Sequence, residues 1–256
     1  MSASKDFSGS GAATGELARL HATIRACTLC GLHATRTQAV PGSGPCPADI
    51  MIVGEAPGFN EDVQGHPFVG PAGKLLDTLL AGIGLRREDV YITNVLKCRP
   101  PRNRDPMPHE AESCERYLRA QLALVRPRVV LVLGRHALER LLPGQGGISR
   151  VHGSIVEREG VTYMPVYHPA AALHNGSLVA DLERDFEGVR RYLDRTIRAP
   201  APEAEGPGPG SKEPGGPPEA AQLDLVPAAP PANPPPAPAP APAAARGADP
   251  EQLSLL

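Results

Sequence analysis

Seventeen residues from Gly54 to Gly70 combine carboxylates, aromatic rings and glycines in a pattern that could build a ligand site. The apolar run 49–53 before them predicts a buried strand, and the run 72–80 after them predicts a helix. Glycine and proline between the two allow the backbone to approach a ligand closely. A strand, a loop and a helix in this order form the position at which open α/β sheets place their active sites.

Two further polar residues fall at the ends of predicted strands. Asn94 lies near the end of the run 90–95, and His168 directly follows the run 162–167. Taken alone, an asparagine at a strand end is most often a turn residue. Because the carboxyl ends of parallel strands meet at one edge of a sheet, we expect Asn94 and His168 to converge with Glu55 there.

Four of the five cysteines have a spacing that suits a soft metal centre. Cys27 and Cys30 could bind one centre from a single turn, whereas fifteen residues separate Cys98 from Cys114. Zinc sites usually contain two closely spaced pairs, but an iron–sulfur cluster accepts looser spacing because each thiolate binds a different iron. A redox-active CxxC pair is the alternative. Cys46 is expected to be a free thiol.

These motifs, in this order, resemble those of the family 4 uracil-DNA glycosylases, the iron–sulfur type, over about residues 15–195. The resemblance implies a monofunctional glycosylase that flips deoxyuridine out of DNA and hydrolyses its N-glycosidic bond. The product would be an abasic site, the starting point of base-excision repair. It also implies one 4Fe–4S cluster with a structural role, held by Cys27, Cys30, Cys98 and Cys114.

The resemblance further implies roles in base recognition. Phe68 matches the residue that stacks on the flipped uracil, and His168 matches the donor to uracil O2, where charge develops as the base leaves. Asn94 matches the amide that binds the Watson–Crick edge. Its donor and acceptor complement O4 and N3–H of uracil, whereas cytosine would leave buried groups unpaired. We expect Asn94 and His168, together with Glu61, to be the catalytic residues.

The residue that positions the attacking water is less clearly marked. At the position where the best-known uracil glycosylases carry an aspartate, this chain has Ala56. By resemblance we expect Glu61 to orient the water, and Glu55, Ala56 and Pro57 to shape the uracil pocket. A strong base is not essential for a dissociative transition state. Leu173 is a candidate wedge for the gap that the flipped base leaves in the duplex.

Alternating strand and helix patterns predict a three-layer α/β/α sandwich around a mostly parallel, four-stranded sheet. The predicted strands are 49–53, 90–95, 128–133 and 162–167. The predicted helices are 16–27, 71–83, 107–125, 135–142 and 178–196. The segment 154–166 could in addition form a hairpin about Glu159-Gly160.

Composition divides the 256 residues into a flexible N-terminus (1–14), a glycosylase domain (15–197) and a disordered tail (198–256). From Pro200 onward the chain has 17 of its 31 prolines and no aromatic residue, too little apolar surface to offset the entropy of ordering. The net charge of −2 combines −5 on this stretch with +3 on the remainder. DNA binding therefore depends on basic clusters, such as the segment 97–104, rather than on total charge.

Two short apolar peptides, 222–226 and 252–256, interrupt the tail. They resemble the peptide that binds the bacterial sliding clamp, which makes the clamp a candidate partner beside uracil-containing DNA, single- or double-stranded. No signal peptide or membrane-spanning pattern is visible. We therefore expect a monomeric, cytoplasmic, nucleoid-associated protein that binds no membrane.

Two other functions remain open at this stage. The first is a superfamily relative with a broader range of deaminated bases or with covalent trapping of DNA through a histidine, although the segment 100–109 looks like the ordinary family 4 form. The second is a non-catalytic iron–sulfur DNA- or nucleotide-binding module. The loop 54–58 lacks the spacing of a GxGxxG motif or a P-loop, and the presence of Asn94 and His168 favours catalysis.

Overall fold

A computed structural model describes residues 8–196, with side chains from residue 11 onward. The predicted tail with its two peptides therefore lies outside the described residues. The helices are α1 (Ser8–Arg25), α2 (Phe59–Gln64), α3 (Pro71–Gly82), α4 (Pro108–Val125), α5 (Gly134–Leu141), α6 (Ile148–Val151), α7 (Pro169–His174) and α8 (Leu178–Thr196). The strands are β1 (Ile50–Gly54), β2 (Tyr91–Asn94), β3 (Val129–Leu133), β4 (Val156–Arg158) and β5 (Val161–Val166).

The strands form one sheet in the order β2-β1-β3-β5-β4. Four strands are parallel, and β4 pairs with β5 in the antiparallel sense at the edge. The prediction of four strands is therefore wrong by one, because the hairpin adds its first arm to the sheet. The predicted turn is confirmed: Glu159 and Gly160 have φ of 54° and 74°, which suits a two-residue hairpin turn.

Helices cover both faces of the sheet, which confirms the predicted α/β/α sandwich. Ile50 and Ile52 of β1 pack into a core with residues of α3, α7 and α8. Met51 and Val53 point to the other face and pack with residues of α1, α4 and α5. All residues of β1, β2 and β3 are buried, as expected for strands that are covered on both faces.

The helices that cover the sheet begin and end close to their predicted limits, except at the N-terminus. Helix α1 begins at Ser8, whereas the apolar spacing predicts a start at Glu16. Leu17 and Ile24 are the buried residues that produce this spacing, and the first turns of α1 contain only small or polar residues. Among residues 8–196, no helix combines the length and the apolar character needed to span a membrane.

The strand order determines where a site can form. From β1 the chain crosses to β2 on one side and then to β3 on the other side, so the direction of winding changes beside β1. The segments that follow β1, β2, β3 and β5 meet at the carboxyl edge of the sheet. A crevice at such a point is the usual ligand position in open α/β sheets.

Candidate active site

A cavity of about 230 Å³ opens at this carboxyl edge. It brings together residues that are as much as 115 positions apart in the chain, from Glu55 to Ala170. All of the predicted catalytic and uracil-binding residues line it: Glu55, Ala56, Pro57, Glu61, Phe68, Asn94 and His168. The predicted wedge Leu173 does not line the cavity, but lies on α7 with 51% of its surface exposed.

Asn94 presents an unused hydrogen-bond acceptor to the cavity. It is the last residue of β2, pairs with Gly54 of β1, and is 1% exposed. Its side-chain Oδ1 is buried and has no hydrogen-bond partner. Because a buried acceptor without a donor costs free energy, this oxygen marks the place where the donor of a ligand would bind.

Phe68 forms the aromatic wall of the cavity. Its backbone has a φ of 53°, the left-handed region that a bulky residue adopts only when its surroundings force it. The ring is 5% exposed and stacks against the imidazole of His168, with 5.5 Å between ring centroids and 28° between planes. The two rings thus pack against each other in the wall of the cavity.

Glu61 holds the loop that carries Phe68. Its Oε1 accepts hydrogen bonds from the backbone N–H groups of Val69 and Gly70, both at 2.9 Å. Its Oε2 accepts from the N–H of Gly58 at 3.1 Å, at the start of α2. The carboxylate therefore joins the two ends of the loop and fixes the backbone on either side of the aromatic ring.

His168 is arranged as a neutral hydrogen-bond donor. It caps the N-terminus of α7, where its Nδ1 accepts a hydrogen bond from the N–H of Ala170 at 3.1 Å. An imidazole that accepts at Nδ1 carries its proton on Nε2. Burial lowers the pKa of His168 to about 4, and the charge of Glu61 offsets only part of this effect. The imidazole is thus uncharged at neutral pH.

A group beside Glu55, one of the cavity residues, was not found from the sequence. His136, in the first turn of α5, has its Nε2 3.8 Å from Glu55 and 3.5 Å from Asp105. Arg135 donates to Asp105 at 2.8 Å and lies 2.9 Å from the same imidazole nitrogen. Burial raises the pKa of Glu55, and His136 lowers it. The position of His136 just after β3, at the same sheet edge as Asn94, is the signal that could have identified it.

The predicted basic loop after β2 lies beside the cavity, and two of its arginines, Arg99 and Arg104, have partners within the protein. Arg104 lines the cavity and forms an ion pair with the buried Glu110 at 2.6 Å. Arg99 donates to Asn103 at 2.7 Å and lies 5.2 Å from the ring centroid of Phe59. Asn103 also lines the cavity. The loop therefore contributes to the wall of the site as well as to its positive charge.

The four predicted cluster ligands meet on the other side of β2. Cys27, Cys30, Cys98 and Cys114 line one small cavity and pack in one apolar cluster with residues of α1 and α4. Cys46 lies elsewhere, in the core beneath α4, where its thiol contacts the carbonyl of Leu124 at 3.4 Å. The fold thus groups four of the cysteines and keeps the fifth, Cys46, apart from them.

The surroundings of these four thiols suit an anionic metal centre. Arg36 donates from Nη1 to the sulfur of Cys98 at 3.1 Å. Lys97 is 1% exposed, and its positive charge interacts with Cys114 and Cys98. Burial lowers the pKa of Lys97 to about 7, and Cys114 and Cys98 raise it. Burial also raises the pKa of these two thiols, that of Cys114 to about 11. The fit to a metal centre therefore rests on the grouping of the four sulfurs and on the donor from Arg36.

Among residues 8–196, the side chains whose possible metal-ligand atoms all lie within 4.8 Å of one another are Glu55, Asp105 and His136. This group lies beside the cavity, and Glu55 also lines it.

The cavity and the fold together define an α/β protein that binds a planar heterocycle. An aromatic wall, an unpaired amide acceptor and a neutral imidazole donor surround a space at the edge of a parallel sheet. Such a site recognises a flat ligand through one face and through a hydrogen-bonding edge.

The chain belongs to the uracil DNA glycosylase superfamily, whose family model matches residues 41–194. It is 52% identical over 174 residues to the type-4 uracil-DNA glycosylase of Archaeoglobus fulgidus, an alignment that covers 65% of this chain and 87% of the relative. It is 45% identical over 184 residues to that of Sulfurisphaera tokodaii, covering 68% and 83%. The type-4 enzyme of Saccharolobus solfataricus is 45% identical over 179 residues, covering 66% and 83%.

Proposed function

We propose that this protein is a uracil-DNA glycosylase, which removes uracil from DNA and leaves an abasic site for base-excision repair. The observation that carries the proposal is the buried Oδ1 of Asn94, which has no partner and lines the same cavity as Phe68 and His168. The similarity to type-4 uracil-DNA glycosylases supports the same substrate.

Asn94 selects uracil through the polarity of its amide. Its Oδ1 accepts from uracil N3–H while its Nδ2 donates to O4. Cytosine carries an acceptor at N3 and a donor at N4, so each amide atom would face a group of its own kind. Since the side chain is buried, this mismatch would not be relieved by water, and cytosine would be rejected.

His168 stabilises the leaving base. As the bond between C1′ of the sugar and N1 of uracil breaks, the bonding electrons move to the base and charge develops on O2. A neutral imidazole donor at Nε2 stabilises that charge without a cost for protonation. Water then adds its oxygen to C1′, and its proton goes to solvent or to the departing base.

Two carboxylates divide the remaining work. Glu61 is engaged by three backbone N–H groups, which supports a role in holding Phe68 against the base as well as the expected contact with water. Glu55 lines the cavity and lies 3.8 Å from His136, which makes it a second candidate to orient water. The variants Glu55→Gln and Glu61→Gln separate the two roles. Glu61→Gln, which loosens the loop that carries Phe68, should weaken the binding of free uracil, whereas Glu55→Gln should not.

A 4Fe–4S cluster held by Cys27, Cys30, Cys98 and Cys114 is the second part of the proposal. When bound, it would cross-link the end of α1 to α4 and to the segment after β2, and it would take no part in the hydrolysis. The fit of the site rests on the grouped thiols and on the N–H donor from Arg36 to Cys98.

Leu173 is proposed as the duplex wedge because its side chain is exposed on α7, five residues after His168.

Two further proposals concern the location and the partner of the protein rather than its chemistry. We propose a cytoplasmic, nucleoid-associated monomer whose tail peptides, 222–226 and 252–256, bind the sliding clamp. Deletion of both peptides should abolish binding to the clamp and leave activity on short oligonucleotides unchanged, and an unchanged clamp affinity would contradict the proposal.

The test of the main proposal is cleavage of a uracil-containing oligonucleotide by anaerobically purified protein. Abasic sites are expected with wild type and not with Asn94→Ala or His168→Ala, whereas Gln145→Ala, an amide change at an exposed position, should behave as wild type. Wild-type protein with a full iron content but no product would refute the enzyme. A covalent protein–DNA adduct would instead indicate the DNA-trapping relative.

A further inference from the structure

A buried lysine, Lys97, binds the end of the strand that carries Asn94, the amide proposed to recognise the base. The ammonium group of Lys97 donates to the backbone carbonyl of Asn94 at 2.5 Å and to the hydroxyl of Thr93 at 2.7 Å. Asn94 and Thr93 are the last two residues of β2. Lys97 therefore lies just after the turn that follows β2, and its side chain binds the end of that strand.

The acceptors of Lys97 are themselves held in a buried polar network. The hydroxyl of Thr93 donates to the carbonyl of Pro41 at 2.8 Å. The side chain of Gln121, from α4, donates to the same carbonyl at 2.7 Å and to the Tyr91 hydroxyl at 2.8 Å. Thr93 and Gln121 are 1% and 0% exposed. A network in which each member is satisfied defines one arrangement of the strand end.

Lys97 also lines the small cavity that contains Cys27, Cys30, Cys98 and Cys114. It is 1% exposed, and among residues 8–196 no carboxylate forms an ion pair with it. Because its ammonium group also binds the carbonyl of Asn94, Lys97 lies between the end of β2 and the cysteine site.

The position of that carbonyl matters for base recognition. The side chain of Asn94 leaves the same short segment of backbone, whose next residue is hydrogen-bonded from its N–H to the carbonyl of Gly54 at 2.9 Å. A shift of the strand end would move the amide relative to Phe68 and His168, which are carried by other loops. Shifts of about 1 Å at such a site are enough to reduce rates by about two orders of magnitude.

We propose that Lys97 is a positioning residue that holds Asn94 in its base-reading position from its place in the wall of the cysteine site. The proposal rests on the proposed function and on the proposed cluster. It means that the cysteine site supports uracil recognition through one side chain, in addition to cross-linking the fold.

The test compares Lys97→Met, which keeps the length of the side chain and loses its donor and charge, with Lys74→Met. Lys74 is exposed on α3 and provides the same chemical change as a control. We would measure iron per chain, the dissociation constant of free uracil well below the melting temperature, and kcat/KM on a uracil oligonucleotide per bound cluster. With iron content unchanged, Lys97→Met should weaken uracil binding and lower kcat/KM, each by about 10- to 100-fold.

A Lys97→Gln variant, which retains an N–H donor, should recover part of the loss, and it carries the test if Lys97→Met does not fold. Normal uracil affinity in the folded Lys97→Gln protein together with an unfolded Lys97→Met protein would make the role purely structural and overturn the proposal. So would activity that falls only in proportion to iron. A wild-type protein that releases no uracil would instead refute the proposed function.

The link between Lys97 and the cysteine site is tested by a double-mutant cycle with Cys114→Ser. In the Cys114→Ser background, Lys97→Met should raise the dissociation constant of uracil by less than about threefold, because the two residues act as a unit. Fully additive effects would refute the link to the cysteine site. If Cys114→Ser does not fold, the same comparison is made between wild-type and Lys97→Met chains from which iron has been removed by a chelator.

Discussion

Replacement of Gly54 by alanine should disable base recognition while leaving the fold in place. Gly54 ends β1, lies opposite Asn94 in the sheet register, and separates that side chain from the ring of Phe68. A Cβ at this position would lie 2.6 Å from Cζ and 2.9 Å from Cε2 of the ring, and closer still to Oδ1 of Asn94. The added methyl group therefore meets both recognition residues at once.

The size of the effect follows from these distances. Carbon atoms in contact prefer about 3.5–4.0 Å, so the ring must retreat by about 1 Å, and the amide must move as well. Displacements of about 1 Å cost about 100-fold in rate, and overpacking of a core costs about 1–3 kcal/mol of stability. We expect kcat/KM to fall about 100-fold and the protein to melt earlier, but still cooperatively.

Single-turnover cleavage of a uracil oligonucleotide and calorimetric binding of free uracil measure the two recognition contacts. Gly82→Ala is the matched control, because a Cβ at this exposed end of α3 meets nothing within 4 Å. It should leave both measurements unchanged and could stabilise the helix by up to about 1 kcal/mol. A Gly54→Ala protein with rate and uracil affinity within threefold of wild type would refute the proposed close packing of Asn94 and Phe68.

Three further predictions follow from the same geometry. Because burial lowers the pKa of His168 from 6.5 to about 4, the unfolded chain binds a proton between these pH values that the folded chain does not. The free energy of unfolding should therefore fall as pH drops through this window, and less steeply in His168→Gln, as measured by denaturant titrations at several pH values. Leu173→Ala should reduce cleavage of double-stranded DNA more than that of single-stranded DNA, since only a duplex leaves a gap to fill. Cys98→Ser should lower bound iron and the melting temperature, whereas Cys46→Ser should leave the iron content unchanged.

Each of these outcomes has a clear opposite. Parallel pH profiles for wild type and His168→Gln would mean that the imidazole is not buried in its neutral form. Equal losses on the two DNA forms would remove the wedge role of Leu173. Iron that depends on Cys46 as much as on Cys98 would contradict the grouping of the other four cysteines.

The geometry of Glu61 refines the expectation from the sequence. A carboxylate that already accepts three backbone N–H groups is a strong anchor for a loop, and the unusual φ of Phe68 shows that this loop needs one. Its expected contact with water stays a prediction, and Glu55 is the second carboxylate to test.

Local patterns in the sequence were sufficient for much of this structure. The apolar runs at 49–53 and 128–133, and the spacing of the helices after them, predicted the alternating fold, because a strand or helix buries a face that its own residues define. The hairpin at Glu159-Gly160 was predicted for the same reason. The number of strands was not, because whether a short arm such as Val156–Arg158 joins a sheet depends on its neighbour.

What the sequence alone determined, then, is which residues stand at strand ends: Glu55, Asn94 and His168 could be identified as candidates because parallel strands bring their carboxyl ends to one edge. Tertiary structure alone decided what each side chain contacts. Lys97 looked like one more member of a basic cluster, yet it is buried between Asn94 and the cysteines. His136 was not identified from the sequence, although it lies just after β3 at the same sheet edge. Such contacts join residues far apart in the chain or across a turn, so they depend on packing that no local pattern encodes.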